Sequence, residues 1–123
     1  ARESTGYFAG LSEDAPTIYR AGWCQDYSDA NNFLYDVFFS ASSQNDTGFV
    51  NADYDALVAE ARVESDTAVR VDLYSQAEQI LVNEQAAIAP IYFYNLQLLV
   101  KPNVERAPSV TGNEAYYLWS RSS

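Results

Sequence analysis

The amino-acid sequence predicts a mixed α/β domain in which about three helices pack on a small mixed sheet. Two regions show apolar residues at helical spacing behind capping residues, and a third apolar segment follows a cap-like Ser28-Asp29 pair. Runs rich in β-branched and aromatic residues precede and follow these regions, as is typical of strands. The predicted order is therefore one strand, three helices, and then two or three strands.

The first strand and the first helix are predicted between residues 17 and 39. Residues 17–23 are β-branched and aromatic, which predicts a strand. Ser28-Asp29 resembles a helix N-cap, and the almost wholly apolar segment 33–39 predicts a well-buried helix behind it. A polar linker is expected over residues 40–48.

The next two helices have the clearest local signals. Asn51 is placed to cap one helix and Asp66 to cap the next. Helical spacing predicts two buried stripes, which are Tyr54, Leu57, Val58 and Ala61 in the first helix and Leu73, Ala77, Ile80 and Leu81 in the second. Residues 86–94 are then predicted as a strand, 96–100 as a further apolar run, 103–112 as a loop, and 115–119 as a last short strand.

Composition and charge exclude several classes of function. The 7 Lys and Arg residues are outnumbered by 17 Asp and Glu residues, for a formal net charge of −10, and this disfavours nucleic-acid binding. The chain lacks His, the commonest metal ligand and general base, and its single Cys cannot form an internal disulfide or a thiolate zinc site. No cofactor or metal is therefore predicted, and binding is a better expectation than catalysis.

The chain contains no sign of a membrane span or a leader. No apolar run approaches the roughly 18 residues of a membrane-spanning helix. No basic segment followed by an apolar one opens the sequence, so a secretion signal is not expected within it. The chain begins with Ala1, from which we expect a processed, excised or incomplete chain.

Residues 20–27 concentrate groups that can bind a small molecule. They include a cation, an indole, the only thiol and a carboxylate, at Arg20, Trp23, Cys24 and Asp26. If the segment is a strand, Arg20, Cys24 and Asp26 share one face and Trp23 lies on the other, unless the chain bulges at Gly22. An arginine can hold a carboxylate through two hydrogen bonds, and an aspartate can neutralise an ammonium group. Arg20 and Asp26 therefore suit the two charged ends of a short extended zwitterion.

An ordered series of short motifs resembles the family-5 solute-binding proteins of ABC importers, which include oligopeptide- and dipeptide-binding proteins. The motifs are Arg-Ala-Gly-Trp-Cys-Gln-Asp-Tyr at 20–27, Asn-Phe-Leu at 32–34, Tyr-Asp-Ala-Leu at 54–57, the segment 70–81, Ile-Ala-Pro-Ile-Tyr-Phe-Tyr at 88–94, and Leu-Leu-Val-Lys-Pro at 98–102. The resemblance implies a two-lobed type II periplasmic-binding-protein fold, of which this chain is the C-terminal part. Residues 1–95 would end the second lobe, and residues 96–123 would return toward the first.

The resemblance also implies a role for each of five residues. Asp26 matches the aspartate that pairs with the α-ammonium group of a peptide. Trp23 and Cys24 match neighbours that line the cleft, Arg20 matches an arginine near the carboxylate end of short peptides, and Tyr94 matches a cleft-lining tyrosine. Some members pair the cysteine with an upstream cysteine that this chain lacks, so Cys24 is expected to be a free thiol.

The implied function is peptide capture for ABC import, at an extracytoplasmic location such as the periplasm or the cell surface. The implied partners are a peptide ligand and an ABC permease. A chain that lacks its partner lobe is expected to expose apolar surface, which favours a homo-oligomer.

Structural interpretations stand beside each implied role. Asp26 could cap the helix near Ser28, Trp23 and Tyr94 could be core residues, Arg20 could pair with nearby acids, and Cys24 could be a small buried hydrophobic residue. Three other functions also remain open: a related binder of a metal chelate, sugar or opine, an acidic carbohydrate-active enzyme, and an assembly module.

Overall fold

The structure is a computed structural model that describes residues 6–7, 10–11, 16–93, 95, 97–107, 109, 114 and 116–122. Within these residues the α-helices with defined bounds are α1 (Asn31–Leu34), α2 (Ala52–Val63) and α3 (Thr67–Glu78), and α3 is followed by a π-helical segment (Gln79–Glu84). Residues 6–7 and 10–11 are also helical. Strand β1 (Val104–Glu105), a 3-10 helix (Tyr116–Leu118) and strand β2 (Ser120–Arg121) complete the order. The predicted mixture of three helices and a small sheet is confirmed at this coarse level.

Helices α2 and α3 begin where their capping residues predict. The Oδ1 atom of Asn51 accepts the backbone N–H of Tyr54 at 2.9 Å. The Oδ1 atom of Asp66 accepts the backbone N–H groups of Ala68 and Val69 at 2.8 and 3.1 Å. Each cap satisfies amide groups that the first turn of a helix leaves without a carbonyl partner, so both cap predictions are confirmed.

The hydrophobic core lies between α2, α3 and the π-helical segment. Its buried members are Phe49, Tyr54, Val58, Ala61, Leu73, Tyr74, Ala77 and Leu81, with Leu57 and Ile80 half-buried against them. Both predicted stripes are therefore confirmed, and they meet each other across the two helices. Burial also raises the pKa of the Tyr54 phenol, whose hydroxyl donates to the carbonyl of Leu34 at 2.6 Å. This bond ties α2 to the end of α1.

Helix α1 is much shorter than the segment 33–39 predicts. It spans Asn31–Leu34, and residues 35–38 continue in turns. The Oδ1 atom of Asp29, rather than a side chain at the assigned cap Ala30, accepts the N–H of Asn31 at 2.8 Å. The carbonyls of Leu34 and Asp36 accept the hydroxyl groups of Tyr54 and Ser42, and such side-chain bonds to the backbone compete with a regular helix. Val37 is buried as predicted, whereas Phe33 is 36% exposed.

The strand predictions are wrong for residues 17–23 and for the described parts of 86–94 and 115–119. None of these described residues belongs to a strand, and Tyr116–Leu118 forms a 3-10 helix. The two strands found in the described residues pair antiparallel instead, with Val104 opposite Arg121 and Glu105 opposite Ser120. The reason is that β-branched composition shows only that a segment suits a pleated, half-buried surface. A strand also needs a neighbour to receive its backbone hydrogen bonds.

The helices are also short in absolute terms. No helix in the part of the chain that the structure describes is long and apolar enough to cross a membrane.

Candidate functional site

The buried amide of Asn32 holds residues 23–26 in place. Its side chain is only 1% exposed. The Oδ1 atom accepts the indole N–H of Trp23 at 2.9 Å and the backbone N–H of Asp26 at 3.0 Å. The Nδ2 atom donates to Oδ2 of Asp26 at 3.3 Å and to Oδ2 of Asp36 at 3.2 Å. An asparagine amide has two donor hydrogens and two acceptor lone pairs, so Asn32 uses its full capacity.

This arrangement brings Trp23 and Asp26 to the same side of the chain. The alternation that would place them on opposite faces does not apply, because residues 17–25 do not form a strand. Trp23 is 36% exposed, and Asp26 is exposed. An indole ring and a carboxylate therefore lie together at the surface, and both are tethered to one buried side chain.

A second set of hydrogen-bonded polar side chains connects Asn32 to the helical core. The hydroxyl of Tyr27 donates to Oδ2 of Asp36 at 2.5 Å, and Nδ2 of Asn31 donates to Oδ1 of Asp36 at 3.2 Å. The hydroxyl of Tyr74 donates to Oδ1 of Asn31 at 3.3 Å. Burial, assisted by the bond to Asp36, raises the pKa of the Tyr27 phenol, so its hydroxyl remains a donor. The polar set thus reaches from the surface loop to the core residue Tyr74.

Arg70 of α3 anchors the same loop through an ion pair. Its Nη1 and Nη2 atoms donate to Oδ2 and Oδ1 of Asp29 at 2.9 and 2.8 Å. Its Nε atom donates to the carbonyl of Ala61 at 2.9 Å. The hydrogen bonds from Arg70 hold the pKa of the Asp29 carboxyl below its usual range. The loop, the end of α2 and the start of α3 are therefore joined by one guanidinium group.

Arg20 lies in a different set of contacts from Asp26. The hydroxyl of Tyr7 donates to the Arg20 carbonyl at 2.8 Å and accepts the Arg20 N–H at 2.9 Å. The Nη2 atom of Arg20 donates to the hydroxyl of Tyr92 at 3.4 Å. Arg20 is exposed.

One of the structural interpretations is corrected by these contacts, and two more are corrected by the exposure of the residues. Asp26 does not act as the cap of α1, because the first helical N–H is bound by Asp29. Trp23 is too exposed for a core residue. Cys24 is an exposed free thiol rather than a buried hydrophobic residue. Tyr94 lies outside the described residues.

Sequence reasoning missed the supporting residues Asn31, Asn32, Asp36 and Arg70. One signal was available, because an Asn pair directly before an apolar segment places amides where burial demands hydrogen-bond partners. The partners themselves could not be read from spacing, since Arg70 and Asp29 are 41 residues apart. Among the described residues, no group of three or more Cys, Asp or Glu is arranged to hold a metal ion.

Several relatives share clear sequence similarity with the chain. The periplasmic oligopeptide-binding protein OppA of Escherichia coli is 40% identical over 85 residues, which cover 69% of this chain and 15% of the relative. The dipeptide-binding protein DppE of Bacillus subtilis is 42% identical over 76 residues, covering 62% and 14%. The probable deoxycholate-binding periplasmic protein YgiS of Escherichia coli is 38% identical over 104 residues, covering 85% and 19%.

These relatives are binding proteins by name, and two of the three are named for peptides. The chain belongs to this family of solute-binding proteins, as the motifs at 20–27 and beyond predict. It spans 14–19% of the length of these three relatives. No family model matches the chain.

Proposed function

We propose that the chain is part of an extracytoplasmic peptide-binding protein that supplies peptides to an ABC importer. The observation that carries this proposal is the exposed Asp26 carboxylate held beside the Trp23 indole by Asn32. A carboxylate attracts an ammonium group, and an adjacent aromatic face favours both a cation and an apolar side chain. The relatives named as oligopeptide- and dipeptide-binding proteins, and the absence of enzyme names among the three relatives, support it.

Each site residue has a defined role in this proposal. Asp26 pairs with the α-ammonium group of the peptide, and Trp23 and Cys24 line the cleft beside it. Arg20, exposed and directed to the Tyr92 hydroxyl, serves the carboxylate end of a short peptide through paired hydrogen bonds. Tyr94 lines the same cleft.

The proposal extends to the architecture and to the partners. The chain forms part of a type II periplasmic-binding-protein fold, with residues 1–95 at the end of the second lobe and residues 96–123 returning toward the first. The complete protein works outside the cytoplasm and delivers its ligand to an ABC permease. The net charge of −10 favours ligands with a cationic group over nucleic acid.

Peptide titration with the Asp26→Asn variant tests the function. In the complete protein that carries these residues, calorimetry is expected to show binding of a tripeptide and weaker binding of the same tripeptide acetylated at its N-terminus. Asp26→Asn should weaken tripeptide binding by at least about tenfold, because a charge-assisted hydrogen bond at the ammonium group is lost. It should scarcely change binding of the acetylated tripeptide.

Asp72→Asn is the matched control for this titration. Asp72 is exposed on α3, where its Oδ2 atom accepts a hydrogen bond from Gln76 at 2.8 Å, and its neutralisation should leave affinity unchanged. Peptide binding that ignores both acetylation and Asp26→Asn would contradict the role of Asp26. The absence of any peptide binding would contradict the function itself.

A steroid carboxylate is the second candidate ligand. The relative named as probably deoxycholate-binding is 38% identical and aligns with 85% of this chain. Deoxycholate has no ammonium group for Asp26 to pair with, and the strongly acidic chain weighs against an anion. Binding of deoxycholate, unaffected by Asp26→Asn and without any peptide binding, would favour this second candidate.

A further inference from the structure

We propose that Asn32 is the positioning residue that holds the Trp23 indole and the Asp26 carboxylate in one ligand-ready arrangement. The proposal rests on the function proposed above for Trp23 and Asp26. Asn32 itself is 1% exposed, so it does not touch a ligand at the surface. It acts through the two exposed residues that it binds.

The hydrogen bonds of Asn32 restrict both residues at the points that determine their orientation. Trp23 has a single ring donor, and that N–H is committed to Oδ1 of Asn32 at 2.9 Å. Asp26 is held at two points, through its backbone N–H at 3.0 Å and through Oδ2 at 3.3 Å. Among the described residues, no hydrogen bond is made to Oδ1 of Asp26. One carboxylate oxygen is thus used for positioning, and the other remains for a ligand.

No other side chain of similar size can replace this amide. Positioning Trp23 and the Asp26 backbone needs an acceptor, whereas the carboxylates of Asp26 and Asp36 need donors. Aspartate lacks the donors, and leucine, which has nearly the same shape, lacks both. A buried donor or acceptor left without its partner is costly, so the arrangement persists only with the amide present.

The Asn32 amide is itself fixed by the folded core. Asp36 accepts from Nδ2 of Asn32 on one oxygen and from Nδ2 of Asn31 on the other, at 3.2 Å each. Asn31 in turn accepts from the hydroxyl of Tyr74, which is 5% exposed between α2 and α3. The orientation of the two surface residues is therefore set by the helix pair, and not by the loop alone.

Asn32→Leu, with Asn83→Leu as its control, tests the proposal in the complete protein. Asn83 lies in the π-helical segment, where its exposed amide donates to Oε1 of Gln79 at 2.8 Å. Asn32→Leu should weaken tripeptide binding by at least about tenfold, and Asn83→Leu should leave it within about twofold. The double variant Asn32→Leu/Asp26→Asn should lose less binding free energy than the two single variants lose together, because Asn32 acts in part through Asp26.

A second measurement requires no ligand and separates this proposal from the proposed function. In ¹H–¹⁵N spectra, the Trp23 indole N–H should exchange with solvent at least about tenfold faster in Asn32→Leu, because it loses its acceptor. The Trp119 indole serves as the internal reference. If the unaltered protein binds no peptide, the proposed function fails, while this exchange rate still decides whether Asn32 positions Trp23.

Two results would overturn the role of Asn32. One is an unchanged exchange rate at Trp23 in a folded variant. The other is a double variant whose loss of binding free energy equals the sum of the losses in Asn32→Leu and Asp26→Asn. If Asn32→Leu does not fold, Asn32→Ser provides the same two measurements, since its shorter hydroxyl cannot span both Trp23 and Asp36.

Discussion

Arg70 connects three separate parts of the chain through a single guanidinium group. It pairs with both oxygens of Asp29, donates to the carbonyl of Ala61, and lies 5.0 Å from the ring centre of Tyr74. The side chains of Arg70 and Asp29 are 27% and 30% exposed, so the pair is partly shielded from water. A bidentate arginine–carboxylate pair in such a position stabilises the fold more than an ion pair on the open surface does.

This ion pair predicts a specific dependence of stability on pH. The pKa of folded Asp29 lies below its usual value of 3.8, chiefly because of the hydrogen bonds from Arg70. Its stabilising contribution is therefore present above pH 3.8 and is lost as the pH falls through the lower folded value. At pH 6, Asp29→Asn should lower the free energy of unfolding by about 1–2 kcal/mol, and this difference should shrink below pH 3.8.

Urea unfolding at a series of pH values between about 6 and 3 measures the difference. Asp72→Asn again provides the control, because an exposed aspartate on α3 should change stability by less than about 0.5 kcal/mol. A difference between Asp29→Asn and the unaltered chain that stays constant over the whole pH range would contradict the role of the ion pair.

Among the elements, α2 and α3 show how closely local sequence can specify structure. Each begins directly after a side chain that binds its first amide groups, and each buries the predicted stripe. Such signals lie within a few residues of each other, so they act before any distant part of the chain is in place. This is why both helices could be predicted from the sequence together with their core faces.

The cap at Asp66 makes a stability prediction for α3. Asp66→Ala removes the acceptor for the N–H groups of Ala68 and Val69, and should lower the free energy of unfolding by about 1 kcal/mol. Asp66→Asn keeps an oxygen in the same place and should cost much less. Urea unfolding of the two variants compares them directly. Equal losses for alanine and asparagine would show that charge, and not the cap, is responsible.

The strand predictions were wrong because a strand, unlike these helices, depends on a second segment of the chain. Residues 17–23 and 86–93 contain Ile18, Tyr19, Ile91, Tyr92 and Phe93, whose side chains favour a pleated surface. Whether such segments pair depends on a neighbouring strand, which is a non-local condition. The described residues form a single two-stranded sheet elsewhere, between β1 and β2.

At the scale of the whole molecule, large apolar side chains outside the helical core are widely exposed. Ile18, Phe93 and Leu99 are 90%, 94% and 106% exposed. All three lie in segments that form no strand in the structure. Exposed apolar side chains favour association between copies of a chain.

We therefore expect the 123-residue chain to self-associate when it is studied alone. Light scattering should show a mass that rises with concentration, because a second copy covers the apolar segments. The double variant Phe93→Ser/Leu99→Ser should reduce the mass toward that of a monomer. Val63→Ser is the control, since Val63 is 81% exposed but ends helix α2. A monomer at high concentration, or equal effects of the two variants, would contradict this prediction.

The sequence by itself determined the family, the two capped helices and the faces that they bury. Ordered motifs and the spacing of caps and apolar residues carry these properties locally, so no distant contact was needed to read them. Unlike chemical groups within one short stretch also identified four candidate site residues, which are Arg20, Trp23, Cys24 and Asp26.

Only the tertiary structure decided how these groups are arranged. It placed Arg20 against Tyr7 and Tyr92, and it placed Trp23 beside Asp26 rather than opposite. The decisive residue is Asn32, whose four hydrogen bonds depend on the direction of one buried amide. The orientation of a buried amide cannot be predicted from the spacing of residues in the sequence, because it is set by the packing of the helices beneath the loop.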